Sequence, residues 1–566
     1  MIDIFFSCFT IIYFLFLISN ICKFSKKNVS RSTCEEIIYG LIIVSFLALL
    51  INFFFPLTPK LNTLIFCAVI LISIYKRIFF INKQKLVTFL LISLLSTLFL
   101  LLSESYRPDA GLYHYPYIKI LNEEKIIFGL SNLHMRFGHI SILQYQSAFF
   151  NNLIIGANGI VIPLSIIAST TIFFICKEIF NSLKKRDNKI DIFFYFFILV
   201  FISFKMNRYS EFGNDAPAHF ILFFLIIIFI KNFNVKEKFG DICLLSIFIL
   251  LNKITLATAI LLPLFHLIAN KLRLNQILNF RSIFSVMFLF IWLLKNFFVS
   301  SCLVFPIKIT CFENFGWSIN SSKIYKYSVG TEAFAKGLPD QNDKNYLKSE
   351  IFYKNFNWFS TWFKNHFMDK VFKNMGIYIV ILLLCYFFLK IKFSKVYETN
   401  IKYDKSDIRP YFYILIIAIL GTFIWFLKAP VFRFGYSYLT LLISSTILII
   451  LNVMLSKKKI VFNLISFKFL IVLCIFGIIL KQLVRVENRS VNTYFNYPWV
   501  KFYSSDNENN PTTNKAIKYN NIILYRIPNA DDQLCFFSKS ICVPPNEVQK
   551  KIDFQIIKGY KFLTSK

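Results

Sequence analysis

A polar stretch, Ser103-Glu-Ser-Tyr-Arg-Pro-Asp-Ala-Gly-Leu-Tyr-His-Tyr-Pro-Tyr117, follows an apolar run that ends at Leu102. It places Arg107, Asp109, Tyr113 and His114 close together in sequence, with Asn132, His134, Arg136 and His139 a little further on. A carboxylate can take a proton from a hydroxyl, while guanidinium and imidazole groups beside it hold a phosphate. Ionisable groups at the edge of an apolar segment are costly unless they are solvated or working, which makes these residues functional-site candidates. The structural alternative is that Asp109 pairs with Arg107 or caps a helix starting near Gly111. Pro108 disfavours helical backbone at Arg107 and sets a rigid exit from the apolar run.

Four further segments carry similar groups. Glu211 and Asp215 lie in Tyr209-Ser-Glu-Phe-Gly-Asn-Asp-Ala-Pro-Ala-His219. Asp215 is either the cap of the helix that Pro217 opens or a second carboxylate, for a metal ion or an acceptor. Arg433 stands alone in Lys428-Ala-Pro-Val-Phe-Arg-Phe-Gly-Tyr436. An arginine there suits bidentate phosphate binding, or it anchors to lipid headgroups. Lys253 and Lys295 could meet phosphate or snorkel to the interface.

The elements that must position these residues are apolar helices. Charged residues make up 16% of the chain, against roughly 25% in an ordinary soluble domain. The apolar excess falls in blocks long enough for membrane spans, which need about 20 residues each. The pattern predicts an all-α polytopic membrane protein with about 14 transmembrane helices. They are expected near 4–22, 36–56, 61–78, 85–103, 158–180, 190–205, 217–232, 241–253, 255–270, 282–300, 374–391, 410–427, 436–455 and 468–486. The pair 241–253 and 255–270 is short, and a re-entrant hairpin is its alternative. The domain division is a polytopic body, 1–486, with polar loops 104–157 and 301–373, and a polar, Asn-rich tail, 487–566, forming a small extracytoplasmic appendage. Within the first loop, 113–124 and 140–150 have the apolar spacing of amphipathic helices at a membrane interface, separated by Asn122-Glu-Glu124 and Gly129. Trp317, Trp358 and Trp362 in the second loop suit the headgroup level. Residues 522–527 have the pattern of a strand.

The basic residues behind the net charge of +33 cluster in short connections, 23–31, 76–85, 184–189, 231–238, 271–281, 390–409 and 457–459. These alternate with poorly basic connections, as cytoplasmic loops do, and the placement argues against nucleic acid as a partner. The polar segments carrying Asp109, Asp215 and Arg433 then all fall outside, on one face. The first apolar segment lacks a basic flank before it and a small-residue cleavage site, so it is expected to be a retained span. Of the cysteines, Cys302 and Cys311 share one outer loop, and Cys535 and Cys542 share the tail; both pairs are disulfide candidates in an oxidising compartment, and spacing alone does not fix the pairing.

Polytopic helices, a carboxylate just after an early span, a long first outer loop and a C-terminal outer appendage together resemble the GT-C glycosyltransferase superfamily. A closer resemblance is to an uncharacterised bacterial family of multi-pass membrane proteins with a Leptospira prototype. It is carried by Asp109-Ala-Gly-Leu-Tyr-His-Tyr-Pro116, Gly129-Leu-Ser-Asn-Leu-His-Met-Arg-Phe-Gly138, Asn252-Lys-Ile-Thr255, Ala429-Pro-Val-Phe-Arg-Phe-Gly-Tyr436, and Asp532-Gln-Leu-Cys-Phe536 with Cys542-Val-Pro544. Val431 departs from that pattern where a carboxylate is expected, which weakens a metal-ligand role for this loop. The superfamily resemblance implies transfer of a sugar from a polyprenyl-phosphate donor to a cell-envelope acceptor at the periplasmic face of the inner membrane. Asp109 would be the catalytic base or acceptor ligand. Arg107, His114, His134, Arg136, Lys253 and Arg433 would bind substrate, with a divalent metal, if one is used, at Asp215. Membrane lipids and the lipid-linked donor are the implied partners. A transporter or flippase of lipid-linked saccharides is the non-enzymatic alternative, and a polysaccharide polymerase or ligase differs only in its acceptor.

Overall fold

The computed structural model describes residues 2–22, 31–79, 81–101, 109–185, 189–206, 213, 215–339, 347–390, 407–456, 464–489, 515–519, 522–526, 540–542 and 552–565. Arg107, Glu211 and Cys535 lie outside them. Among the described residues, nine helices are long and apolar enough to cross a membrane. They are Ile2–Ile21, Thr33–Asn52, Lys83–Leu100, Ile162–Lys184, Phe280–Ser300, Phe359–Leu389, Arg409–Lys428, Tyr436–Val453 and Ser466–Val484. Each overlaps an expected span, and Phe359–Leu389 begins well before its own, inside the expected loop 301–373. At the other five expected positions the helices are shorter: Pro59–Tyr75, Lys189–Lys205, Asp215–Lys231, Phe239–Asn252 and Leu261–Asn270. The long helices turn large apolar side chains outward, such as Phe290 at 64% exposure and Phe423 at 60%. Water penalises such surface, and lipid does not. The protein is a multi-pass helical membrane protein.

Local chemistry sets the helix starts. Ser32 accepts from the Glu35 amide while the Glu35 carboxylate accepts from the Ser32 amide, closing a capping box for Thr33–Asn52. Thr58 caps Pro59–Tyr75, with the proline in the first turn. Asn279 caps Phe280–Ser300. The first two long helices cross closely: a side chain at Gly40 would meet the Leu15 carbonyl oxygen at 2.0 Å.

The end of the bundle opposite the candidate site is pinned by buried charge. Lys238 reaches Glu35 at 2.8 Å, and Asp241 takes Arg281 at 2.7 Å, Arg31 at 3.2 Å and Lys238 at 3.5 Å. All five side chains are nearly inaccessible. Topology alone is the sequence explanation for Arg31, Lys238 and Arg281. The structure gives them a second duty, tying together the first turns of three helices.

The first polar loop folds inward. Its helices, Tyr115–Glu123 and Ile142–Phe150, match the expected positions, but every residue of Ile142–Phe150 is buried, so it does not lie along an interface. Polar groups make that burial tolerable. Gln146 bonds Ser45 at 3.2 Å, Ser141 and Gln144 form a capping box, and the Asn62 and Asn122 amides each donate to the Ala148 carbonyl at 2.9 Å. In the second loop, Cys302 and Cys311 are disulfide-bonded. Trp358 and Trp362 are buried rather than at a headgroup level, because their rings pack with Phe426 and the Trp362 indole donates to the Pro430 carbonyl at 2.8 Å.

The tail holds two antiparallel hairpins. Lys515–Tyr519 pairs with Ile522–Arg526, and Ile552–Ile557 pairs with Tyr560–Ser565. Lys558 and Gly559 both take positive φ, the geometry of a tight hairpin turn. The second hairpin docks on the first loop: Leu563 N–H donates to the Phe128 carbonyl at 2.9 Å, and Phe128 N–H to the Lys561 carbonyl at 2.9 Å. Gly129 follows with φ 69°, where a side chain would strike the Leu563 carbonyl oxygen at 2.2 Å. Cys542 is disulfide-bonded.

Candidate functional site

Asp109 heads a wide, π-helical turn, Ala110–His114, and its carboxylate makes no capping bond there. It is instead given to arginines. Arg136 Nη1 lies 2.6 Å from one oxygen, and Arg433 Nη2 lies 3.6 Å from the other. Arg433 Nε reaches Asp215 at 3.3 Å, and the second Asp215 oxygen takes the Lys253 ammonium. Five chain segments thus converge in one line of alternating charge: Arg136, Asp109, Arg433, Asp215, Lys253. Three cations face two carboxylates, leaving one positive charge in surplus. About a third of the Asp109 side chain is accessible, and somewhat more of Arg433.

Each member is held from behind. Arg136 sits in the turn Met135–Gly138, which His134 caps by accepting the Arg136 amide at 3.1 Å, and its guanidinium lies 5.2 Å from the Tyr113 ring. Lys253 breaks the helix Phe239–Asn252 in extended backbone, and Asn252 beside it accepts from Ser141 at 2.7 Å. The Phe434 ring packs under both Lys253, at 3.9 Å, and Arg433, at 5.0 Å. The Arg433 turn is fixed by its carbonyls. Val431 C=O accepts from the Trp425 indole at 2.8 Å, and Arg433 C=O from His219 Nε2 at 2.9 Å. A carbonyl can only accept, so His219 Nε2 carries the proton and Nδ1 faces the Ser437 hydroxyl at 2.7 Å. Position 431 therefore serves the turn through its backbone.

The expected site residues separate into two groups. Asp109, Arg136, Lys253, Arg433 and Asp215 come together. His114 and His134 lie behind the charged line, 4% and 1% exposed. Burial pushes the His114 imidazole down to about 4, against the pull of Asp109, and it faces Gln144 Nε2 at 3.3 Å. Burial likewise takes His139 down to about 4. Both rings are neutral at pH 7. Asp215 is the first residue of its helix, and both its oxygens are occupied by cations. Among the described residues no three His, Cys, Asp or Glu side chains group to hold a metal. The supporting roles of His219, Trp362 and Trp425 are not readable from sequence, because each acts through a backbone carbonyl, at long range for His219 and Trp362 and across the turn for Trp425.

Residues 1–440 match the model of a domain of unknown function, DUF8201. The chain belongs to that family. The DUF8201 region contains all five charged residues of the site and the buried network at the opposite end, while both tail hairpins lie beyond it. No curated protein and no solved structure matches the chain.

Proposed function

We propose that this DUF8201 protein is a glycosyltransferase of GT-C type. It would move a sugar from a polyprenyl-phosphate donor to a cell-envelope acceptor at the periplasmic face of the bacterial inner membrane. In this reading the nine long helices and the five shorter ones are fourteen crossings, and the tail stands on the periplasmic side. The observation that carries the proposal is the charged line itself: a part-exposed carboxylate next to a surplus of cations at one end of an apolar bundle. Arg433 and Lys253 suit an anionic phosphate, which would compete with Asp109 and Asp215 for them.

Asp109 is the proton acceptor in this scheme. Its oxygen takes the proton of the acceptor hydroxyl as that hydroxyl attacks the anomeric carbon. The bond from that carbon to the phosphate oxygen breaks, and the leaving phosphate keeps the electron pair against Arg433 and Lys253. A single displacement inverts the anomeric centre. The test is Asp109→Asn, followed by sugar incorporation into envelope lipid and polysaccharide. Loss by about 100-fold or more is expected for a missing general base, and unchanged transfer overturns the role.

A further inference from the structure

Lys295 takes no part in the charged line, yet it is the least explained cation among the described residues. It lies near the Ser300 end of the helix Phe280–Ser300 and is 0% exposed, and its ammonium has no hydrogen-bond or ion-pair partner among the described residues. The Trp292 ring lies 5.1 Å from its nitrogen. The other fully buried lysines differ: Lys238 has Glu35 and Asp241, and Lys336 has Glu332. Full enclosure removes the snorkelling explanation, and a buried ammonium without a counter-charge is strongly disfavoured.

Helix register places this group at the level of the site. Asp241 and Arg281 pair at 2.7 Å at the opposite end of the bundle, and Gly240 sits against Asn279 and Arg281 there. The helices Phe239–Asn252 and Phe280–Ser300 pack together and run the same way from that point. At about 1.5 Å per residue, Lys253 stands about 18 Å above Asp241 and Lys295 about 21 Å above Arg281. The turn Met135–Gly138, which carries Arg136, packs on the same helix as Lys295. A second buried donor lies in this layer: Asn252 Nδ2 has no partner among the described residues, while the other end of its amide holds Ser141. Two unsatisfied buried donors at the height of a site with surplus positive charge call for an anionic oxygen that no described residue supplies.

We propose that Lys295 is a concealed anion contact of this site. When a phosphate-bearing ligand enters between the Lys253 segment and the Arg136 turn, the Lys295 ammonium takes one of its charged oxygens, with the Asn252 amide beside it. This rests on the reading that the site binds phosphate, and it adds a ligand that the exposed charges do not reveal.

The test compares Lys295→Met with wild type and with Lys253→Met in lipid nanodiscs. Unfolding temperature is read without ligand, and affinity is read for inorganic phosphate and for a polyprenyl phosphate. Removing an uncompensated buried amine should raise the unfolding temperature by a few degrees, about the shift that a modest stabilisation gives. The same change should weaken both phosphates tenfold or more. Lys253→Met should weaken binding without that rise in unfolding temperature. Wild-type affinity in Lys295→Met overturns the proposal. A fall in its unfolding temperature also overturns it, since the amine would then have a structural role. Weakening of the lipid alone overturns it as well, because Lys295 would then touch the chain and not the phosphate. A wild-type protein that binds neither phosphate would sink the functional reading itself, a distinct result.

Discussion

Asp215→Asn separates an anion site from a metal site. The substitution keeps the side chain's shape and removes one negative charge from between Lys253 and Arg433. The side chains of Asp215 and Lys253 are 21% and 17% accessible, so their pair lies between the exposed and buried limits. Exposed pairs contribute about 0.2–1 kcal/mol, and breaking a buried pair costs about 3–5 kcal/mol. A loss of about 1–2 kcal/mol in stability is therefore expected. Binding should move the other way. A singly charged phosphodiester held by Arg433 and Lys253 would sit about 7 Å from the Asp215 carboxylate, where removing that repulsion is worth about 0.6 kcal/mol in water-like surroundings and about 2.4 kcal/mol at an effective dielectric near 20. The affinity should then rise by about 3- to 60-fold. Titration of a polyprenyl phosphodiester into wild type and variant, beside thermal unfolding of both, reads the two effects. Weaker binding in Asp215→Asn would refute the reasoning, because it would make Asp215 a contact or a metal ligand of the substrate rather than a counter-charge that the substrate displaces.

Asp241→Asn leaves Arg31, Lys238 and Arg281 short of one buried negative charge and should cost about 3–5 kcal/mol, seen as a large fall in unfolding temperature. Because His114 and His139 are held near 4 when folded, against about 6.5 in an unfolded chain, the unfolded state binds more protons as pH falls. Stability should be level above pH 7 and fall from about 6.5 toward 4, by about 2 kcal/mol per histidine at pH 5, with His114→Asn flattening part of the slope. Asn132 donates to the Trp317 and Leu563 carbonyls at 2.9 and 3.0 Å, so Asn132→Ala strands two acceptors and should cost about 1–3 kcal/mol. Limited proteolysis should then release the C-terminal hairpin faster than in wild type.

The apolar blocks made the long helices legible, since about 20 apolar residues in a row leave few other structures. The two helices of the first loop were legible from their periodicity, and the strand at Ile522–Arg526 from its composition. Their burial was not. An amphipathic pattern gives one apolar face, and it does not reveal that Asn62, Asn122 and Ser45 supply partners for the polar face from elsewhere. Placing Asp109, Asp215 and Arg433 at one end of the bundle followed from loop charge. Their order, with Arg433 between two carboxylates and Lys253 closing the line, depends on a helix that stops at Asn252 and on a turn held by His219 and Trp425. Apart from the local Trp425 contact, these join residues far apart in the chain. The Asp241 network was equally hidden: a lone aspartate in an apolar span was the one trace of it.

The central claim is that one phosphate-bearing lipid occupies the ground shared by Asp109, Arg136, Asp215, Lys253 and Arg433. Photo-crosslinking tests it most directly, with a polyprenyl phosphate carrying a photoreactive group next to the phosphate and the protein in nanodiscs. Adducts are expected in 109–117, 132–138, 252–256 and 429–437, competed away by unlabelled lipid phosphate and lost in Arg433→Met. Saturable adducts confined to other segments, unaffected by that substitution, would contradict it.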